Sequence, residues 1–344
     1  MMSETGTGQR ALIDEIINQD LCVRCGACVG FCPYFSYFDG QVVVMDRCQA
    51  SADRCFQVCP VAREQGTREP LIHEGSEIGP IERVFMARAM NSDIREVAQY
   101  GGVVTALVTY ALEQGLMESA VLTDRGDLFS PEGREVRDKS AVRQCSGSRY
   151  TASGGLAALN RAVKQGRRKI GVVGLPCQMS ALAKMTESTE DPRDLDDRIT
   201  MKLGLFCTWA LDFRKLVEFL KKQGVKGPYV KFDIPPPPAE IFQVESQEGW
   251  TEFPLSEIRP SIQKGCLLCE DMTAEKSDIS VGVVEGQQQW NTVIVRTQRG
   301  AELLDKASQD GWIETGPLPR ENLDHLKDAA RGKRERGRRV RDDQ

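Results

Sequence analysis

Four cysteines in the spacing Cys22-x2-Cys25-x2-Cys28-x3-Cys32, followed at once by Pro33, limit what this chain can become more than any other feature of it. Three thiolates set two residues apart on a tight loop each take one corner of a cubane iron–sulfur cluster, and the fourth, before proline, is passed to a neighbouring cluster. A zinc knuckle needs only two such pairs. Cys55-x3-Cys59-Pro60 repeats the closing half of the run. The whole chain carries 12 Cys against 2 His, His73 and His325, which excludes zinc sites that mix cysteine with several histidines. Met1 to Arg10 is polar and lacks the apolar stretch of a secretion signal, so the thiols read as metal or redox groups in a cytoplasmic protein rather than as a disulfide framework.

A complete second run would place cysteines at 49 and 52, where Gln49 and Ala52 stand, and Cys48 is the nearest substitute. By the swapped rule Cys22, Cys25, Cys28 and Cys59 complete one 4Fe-4S site, which leaves Cys32, Cys48 and Cys55 for another. Three outcomes stay open for that second site: a three-iron cluster, a four-iron cluster with an oxygen ligand such as Asp53, or no cluster. The four-iron form is the expectation.

The rest of the chain supplies a larger domain. The chain has 344 residues, 40% hydrophobic and 28% charged, enough for two cores. Its net charge of −5 offers no broad basic field for nucleic acid. No run reaches the ~18 to 20 apolar residues of a bilayer span. Residues 8–19 have helical spacing, and 63–80, rich in Gly, Pro, Glu and Arg, read as a linker. Beyond it, strand signals at 84–87, 120–123, 169–173 and 199–206 alternate with helical ones at 102–115, 154–165, 176–185 and 211–223. Strands at 279–284 and 292–296 and a helix at 299–309 follow. The expected organisation is an iron–sulfur module over 1–70, a mixed α/β domain with partly parallel strands over 71–325, and a basic tail over 326–344. Pro235 to Pro238 mark an extended surface connection. The tail, with 8 Lys+Arg against 4 Asp+Glu, reads first as a solvated, frayed helix and second as a dock for an acidic partner.

Cys177, Cys207, Cys266 and Cys269 each fall at a strand end or loop in the larger domain. Ligands collect at such ends, so these four either converge there or are inert buried thiols; by spacing only the Cys266/Cys269 pair suggests a site. Cys145 reads as a small apolar side chain. Gly101-Gly102 opens an apolar helix, where backbone N–H groups can face an anion or simply start a helix. Ser146-Gly147-Ser148-Arg149-Tyr150 groups hydroxyl, guanidinium and aromatic chemistry suited to a phosphate or planar ring, or forms an ordinary polar loop. No Walker loop, Gly-x-Ser-x-Gly or Gly-x-Gly-x-x-Gly supports a nucleotide-triphosphatase, hydrolase or Rossmann reading.

Taken in order, Ser92-Asp93-x-Arg95, Gly101 to Leu107, Ser146 to Tyr150 with Ser153, Gly174-x-Pro176-Cys177-Gln178, Gly204-x-Phe206-Cys207, Phe232-Asp233 and Cys266-x2-Cys269-x-Asp271-x-Thr273 resemble the beta subunit of coenzyme F420 hydrogenases and formate dehydrogenases. The resemblance spans about residues 80 to 320, and the ferredoxin-like module before it is similar to the arrangement in F420H2 dehydrogenase input subunits. It implies an FAD-containing oxidoreductase with Cys177, Cys207, Cys266 and Cys269 around a 4Fe-4S cluster beside the flavin, giving two or three clusters in all. The flavin contacts it implies are Gly101, Gly102, Val103, Val104, Thr105, Ser146, Gly147, Ser148, Arg149, Tyr150 and Ser153, with Asn291, Thr292 and Arg296 as flavin support. No side chain is expected to act as acid or base. The implied activity is hydride exchange with coenzyme F420, with single electrons passed to a hydrogenase, formate dehydrogenase, heterodisulfide reductase or membrane complex. Two alternatives keep the electron path: NAD(P)H or another ring substrate in place of F420, and a relay or adaptor subunit with no diffusible substrate.

Overall fold

The computed structural model describes residues 8–49, 53–62, 76–124, 131–188, 193–235 and 239–343. His73, Ala52, Pro236 to Pro238 and most of the expected linker lie outside them. An eight-stranded mixed sheet forms the centre. Its strands are β3 (Arg83–Ala89), β4 (Ser119–Thr123), β5 (Gly133–Val136), β6 (Ile170–Gly174), β7 (Ile199–Leu205), β11 (Ile279–Val283), β12 (Asn291–Val295) and β13 (Ile313–Gly316), in the order β13-β3-β12-β11-β7-β6-β4-β5. The neighbours β4, β6, β7 and β11 run parallel, and the outer pairings are antiparallel. Burial on both faces explains the composition of the middle: β6 reads Ile-Gly-Val-Val-Gly and every residue of β12 is buried. The edge strand β5 carries Arg134 and Glu135, charges that discourage pairing with another chain.

Six longer helices are α1 (Val103–Glu113), α2 (Gly155–Lys164), α3 (Pro176–Glu187), α4 (Phe213–Lys222), α5 (Gln298–Gln309) and α6 (Arg320–Asp342). The first five match the helical signals in the sequence. A separate sheet of β8 (Tyr229–Asp233), β9 (Ile241–Ser246) and β10 (Gly249–Pro254) has no clear sequence signal. It buries Phe232, Phe242 and Val244 against Leu216 and Leu220 of α4. This excursion leaves β7 and returns to its starting point, because Asp212 N–H donates to Ser261 O at 2.7 Å and Gln263 N–H to Ala210 O at 3.0 Å.

The N-terminal cysteine segment, with its hairpin β1 (Phe35–Phe38) and β2 (Gln41–Val44), is seated on the large domain. Leu12, Val23, Ala27, Phe35 and Val58 share one apolar core with Leu156, Leu159, Met179 and Leu182 of α2 and α3. The basic tail departs from the frayed helix expected of it. Residues 320–342 form a continuous helix that buries Ala330, Lys333 and Gly337. Its first half docks through Leu323, Leu326 and Ala330, which pack with Ile78, Ile294 and Phe206, and its second half through charge and backbone contacts.

Candidate functional site

The pairing of β6 with β7 places the first two late cysteines. Gly174 pairs with Gly204 across the two parallel strands. Cys177 and Cys207 each lie three residues beyond their glycine, so both emerge at the same sheet end. The closed excursion after β7 then returns Cys266 and Cys269 to Cys207: Ala210 N–H donates to the Cys266 Sγ at 3.4 Å, and Cys207 N–H to Met272 O at 2.9 Å. All four line one cavity together with Cys25 and Lys333. A second cavity is lined by Cys22, Cys25, Cys28 and Cys59. Val23 and Cys25 belong to both walls, so the two cavities are adjacent.

Burial is the main force on these thiols, and their neighbours add to it. Cys22 is pushed up to about 11 by burial and then by Cys59. Cys266 is pushed up to about 12 by burial, then by Cys207 and Cys269. Burial and then Cys25, Cys266, Cys269 and Cys207 hold Cys177 well above the ordinary thiol range. Without a bound metal these are neutral thiols, and cluster insertion has to release their protons. Cys55 is pushed up to about 12 by burial, then by Cys32 and Cys48, which puts those two thiols within electrostatic reach of it. Cys55 in turn acts on Cys28. Asp53, the alternative oxygen ligand, accepts from Gln57 Nε2 at 2.6 Å.

Among the described residues no set of three His, Cys, Asp or Glu is arranged to hold a single metal ion. Sulfurs ringed around a cavity suit a cluster, in which each thiolate binds a different iron and the ring is wider than around one ion. By donor chemistry and enclosure the residues fit cubanes in both cavities.

The loops that carry the cysteines are held by groups without an obvious signal in the sequence. Gly26 and Arg24 have positive φ, 83° and 60°, which folds the loop tightly; a Cβ on Gly26 would stand 2.8 Å from Gly154 O. Leu156 N–H of α2 donates to Cys25 O at 3.1 Å, and the buried Asn160 Nδ2 donates to Ala27 O and Val29 O at 2.9 and 2.8 Å. Lys184 Nζ on α3 donates to Cys59 O at 2.7 Å and Ala62 O at 3.1 Å. The helix that carries Cys177 in its first turn therefore also grips the Cys59 loop. The Arg24 guanidinium pairs with the Asp212 carboxylate, both buried, tying the first loop to the start of α4. The seat is close: a Cβ on Gly265 would lie 2.0 Å from Leu21 O.

The expected flavin residues divide. Thr105 and Ser146 meet at 3.2 Å between their hydroxyls, Gly147 packs near Val97 O, and Ser153 lies 3.0 Å from Thr123 between hydroxyls and borders the cavity of the four late cysteines. Tyr150 OH donates to Asp233 Oδ1 at 3.0 Å and accepts from Ile234 N–H at 3.1 Å, and Gln99 Nε2 donates to the same Asp233 oxygen at 2.7 Å. The stretches 97–105 and 146–153 thus come together, and the second of them reaches the sulfur cavity at Ala152 and Ser153, with hydroxyl, guanidinium and phenol groups suited to a diphosphate and a polar ring edge.

Arg296 does not join them. It donates to Ser280 Oγ, Ile78 O, Pro80 O, Thr273 O and Thr273 Oγ1. Five bonds use its five donors, leaving none for a flavin. Asn291 accepts from Val103 N–H at 3.3 Å and donates to Gly282 O at 3.0 Å, and Thr292 donates to Val283 O at 2.8 Å; these are strand and helix anchors. Gly101 is required by the protein itself, because a Cβ there would stand 2.8 Å from Asn291 Oδ1 and 3.0 Å from Ala87 O. Gly102 caps α1 at φ 75°. Neither glycine needs a ligand to explain it. Cys145 packs at the edge of the apolar core under β4, and burial pushes its thiol up to about 11.

Three family models match the chain: coenzyme F420 hydrogenase/dehydrogenase beta subunit N-term over residues 84–160, the C terminus of the same subunit over 167–321, and a 4Fe-4S binding domain over 15–35. The chain is 33% identical over 245 residues to the coenzyme F420 hydrogenase subunit beta of Methanothermobacter thermautotrophicus, covering 70% of this chain and 86% of that one. It is 32% identical over 306 residues to the coenzyme F420-dependent sulfite reductase of Methanocaldococcus jannaschii, covering 85% of this chain and 46% of that protein. A chain of the F420-reducing NiFe hydrogenase complex from Methanosarcina barkeri superposes with a TM-score of 0.72 at 29% identity, covering 78% of this chain and 94% of that chain.

Proposed function

The chain belongs to the coenzyme F420 hydrogenase/dehydrogenase beta-subunit family, and from that premise we propose that it is an iron–sulfur flavoprotein subunit. In this reading it exchanges a hydride with coenzyme F420 and passes single electrons to or from a partner oxidoreductase. The observation that carries the reading is the shared wall: Cys25 lines both the cavity of the four late cysteines and the cavity of the first run. Cys55, of the third cysteine group, lies within electrostatic reach of Cys28 in the second cavity. Three cysteine sites in a row suit a path for single electrons.

A bound FAD supplies the conversion between paired and single electrons that such a path needs at its end. This chain's own residues do the rest. Thr105, Ser146, Ser148, Arg149 and Tyr150 hold the flavin's polar groups, Asn291 fixes the start of α1 against β12, and Ser153 joins that region to the sulfur cavity. Cys177, Cys207, Cys266 and Cys269 hold the core cluster, and Cys22, Cys25, Cys28 and Cys59 the next. Asn160 and Lys184 keep the second set in register with the first.

Anaerobic titration of the purified holoprotein with F420H2 and with NADH, followed by bleaching of flavin absorbance, tests this. Bleaching by F420H2 is the expected result. Reduction by NADH alone replaces the hydride carrier, reduction by neither leaves a relay subunit, and a flavin-free protein with full iron removes the enzyme reading. In the Cys266→Ser variant the core-cluster signal should vanish from electron paramagnetic resonance spectra while N-terminal cluster signals persist.

A further inference from the structure

All but the first two residues of helix α6 lie beyond the segment matched by the family models, which end at residue 321, yet the helix reaches the core sulfur cavity through Lys333. Lys333, 3% exposed, lines that cavity and donates from Nζ to Cys207 O at 2.6 Å. Arg336 donates to Thr208 O at 3.3 Å and Arg341 to Leu268 O at 3.0 Å. Gly337 lets the helix approach: a Cβ there would stand 3.0 Å from Cys269 O and 2.8 Å from Glu270 Cγ. Positions 333, 337 and 341 are one helical row, so one face of α6 covers the backbone at two of the four late cysteines, Cys207 and Cys269. Glu275 pairs with Arg334 at 2.9 Å, and Glu270 with Arg338 and Arg341 at 3.3 and 3.4 Å. Among the described residues no carboxylate forms an ion pair with Lys333.

A buried ammonium without a paired carboxylate is costly, by several kcal/mol, unless another anion compensates it. The groups that act on Lys333 are Cys269, Cys207, the buried Asp271 carboxylate and Cys266, in that order, so the cysteine site supplies the nearest compensating charge and Asp271 a further share without an ion pair. We propose that Lys333 is a positioning and charge-setting residue of the core cluster: its buried positive charge, held by α6, raises the cluster's reduction potential. One-electron reduction adds one negative charge to that site and makes or breaks no bond. A fixed cation beside it stabilises the reduced form more than the oxidised form. The inference rests on the cluster reading above and adds a determinant of electron-flow direction from outside the family-matched segment.

The test is an anaerobic redox titration of the holoprotein with dithionite, monitored by electron paramagnetic resonance, comparing the unmodified chain with Lys333→Gln and Lys333→Arg. Gln keeps a hydrogen-bond donor and loses the charge; Arg keeps both. With full iron content, Lys333→Gln should lower the reduced-to-oxidised ratio of the core cluster at a given potential about tenfold, a downward midpoint shift of about 59 mV for a one-electron couple. The signal concerned is the one absent in Cys266→Ser. Lys333→Arg should stay near the parent value, and the N-terminal clusters should not move. An unshifted core midpoint in iron-replete Lys333→Gln overturns the proposal. If that variant loses iron, Arg336→Gln decides: its side chain reaches Thr208 O from a more exposed position, so its midpoint should shift downward by less, and no shift overturns the proposal. A parent protein without any core-cluster signal sinks the cluster reading itself, and this inference with it.

Discussion

Asp212→Ala should destabilise the protein by an amount that can be divided into two parts. Asp212 Oδ1 accepts from Arg214 N–H at 2.9 Å and Lys215 N–H at 3.2 Å, capping α4, and loss of such a cap costs about 1 kcal/mol. The second oxygen meets Arg24, and the two side chains are only 5% and 9% exposed. Removing one partner of a buried ion pair costs about 3–5 kcal/mol, because the other charge stays buried without compensation. The sum, about 4–6 kcal/mol, is a large share of a typical stability of about 5–15 kcal/mol. Asp212→Asn retains a good cap and loses the charge, so about 3–5 kcal/mol is expected for it. For 344 residues at about 2.1 cal/mol/K of unfolding entropy each, these become drops in melting temperature of about 6–8 °C for Ala and about 4–7 °C for Asn. The assay is circular dichroism melting of anaerobic holoprotein at one fixed scan rate, with Arg24→Met and the Arg24→Met/Asp212→Asn double variant completing a cycle. The double variant should fall by clearly less than the two single losses combined. Strict additivity, or an Asn variant within 1 °C of the parent, would show that the Arg24 charge is compensated without Asp212 and refute the reasoning.

The same pair sets a pH dependence. Burial pushes the Asp212 carboxyl up, but the Arg24 hydrogen bond and charge and the Lys215 and Arg214 N–H groups outweigh it and hold it below the usual carboxylate range. A group depressed in the folded state stabilises above its unfolded value, about 3.9, and loses that contribution as pH falls toward the folded value. The melting-temperature gap between parent and Asp212→Asn should therefore be constant from neutral pH to about 5 and shrink below about 4. Gly265→Ala should lower both melting temperature and iron per chain, since its Cβ would meet backbone Leu21 O at 2.0 Å and no rotamer relieves that; Gly332→Ala, with nothing within 4 Å, should be neutral or stabilising by up to about 1 kcal/mol. Cys59→Ser should remove one N-terminal cluster signal and spare the core one; simultaneous loss of the core signal would mean that the two cavities do not assemble separately.

The cysteine spacing alone marked the iron–sulfur chemistry, because a tight loop must hold its thiolates at intervals the backbone dictates. The alternation of strand and helix signals likewise marked the mixed α/β sheet, since burial on both faces leaves a readable apolar run. Convergence of Cys177, Cys207, Cys266 and Cys269 was implied by the family resemblance but not legible from spacing: it depends on the Gly174–Gly204 register and on an excursion whose two ends pair with each other. The misread residues have the same cause. Arg296, read as flavin support in sequence, is consumed by five oxygens contributed by four separate residues, and a polar C-terminal run that looks solvated docks one face of a helix beside the late cysteines. Periodicity and spacing report what a residue's chain neighbours require of it. Which distant carbonyl, sulfur or carboxylate it meets is decided only when the sheet order and loop closures bring far segments together.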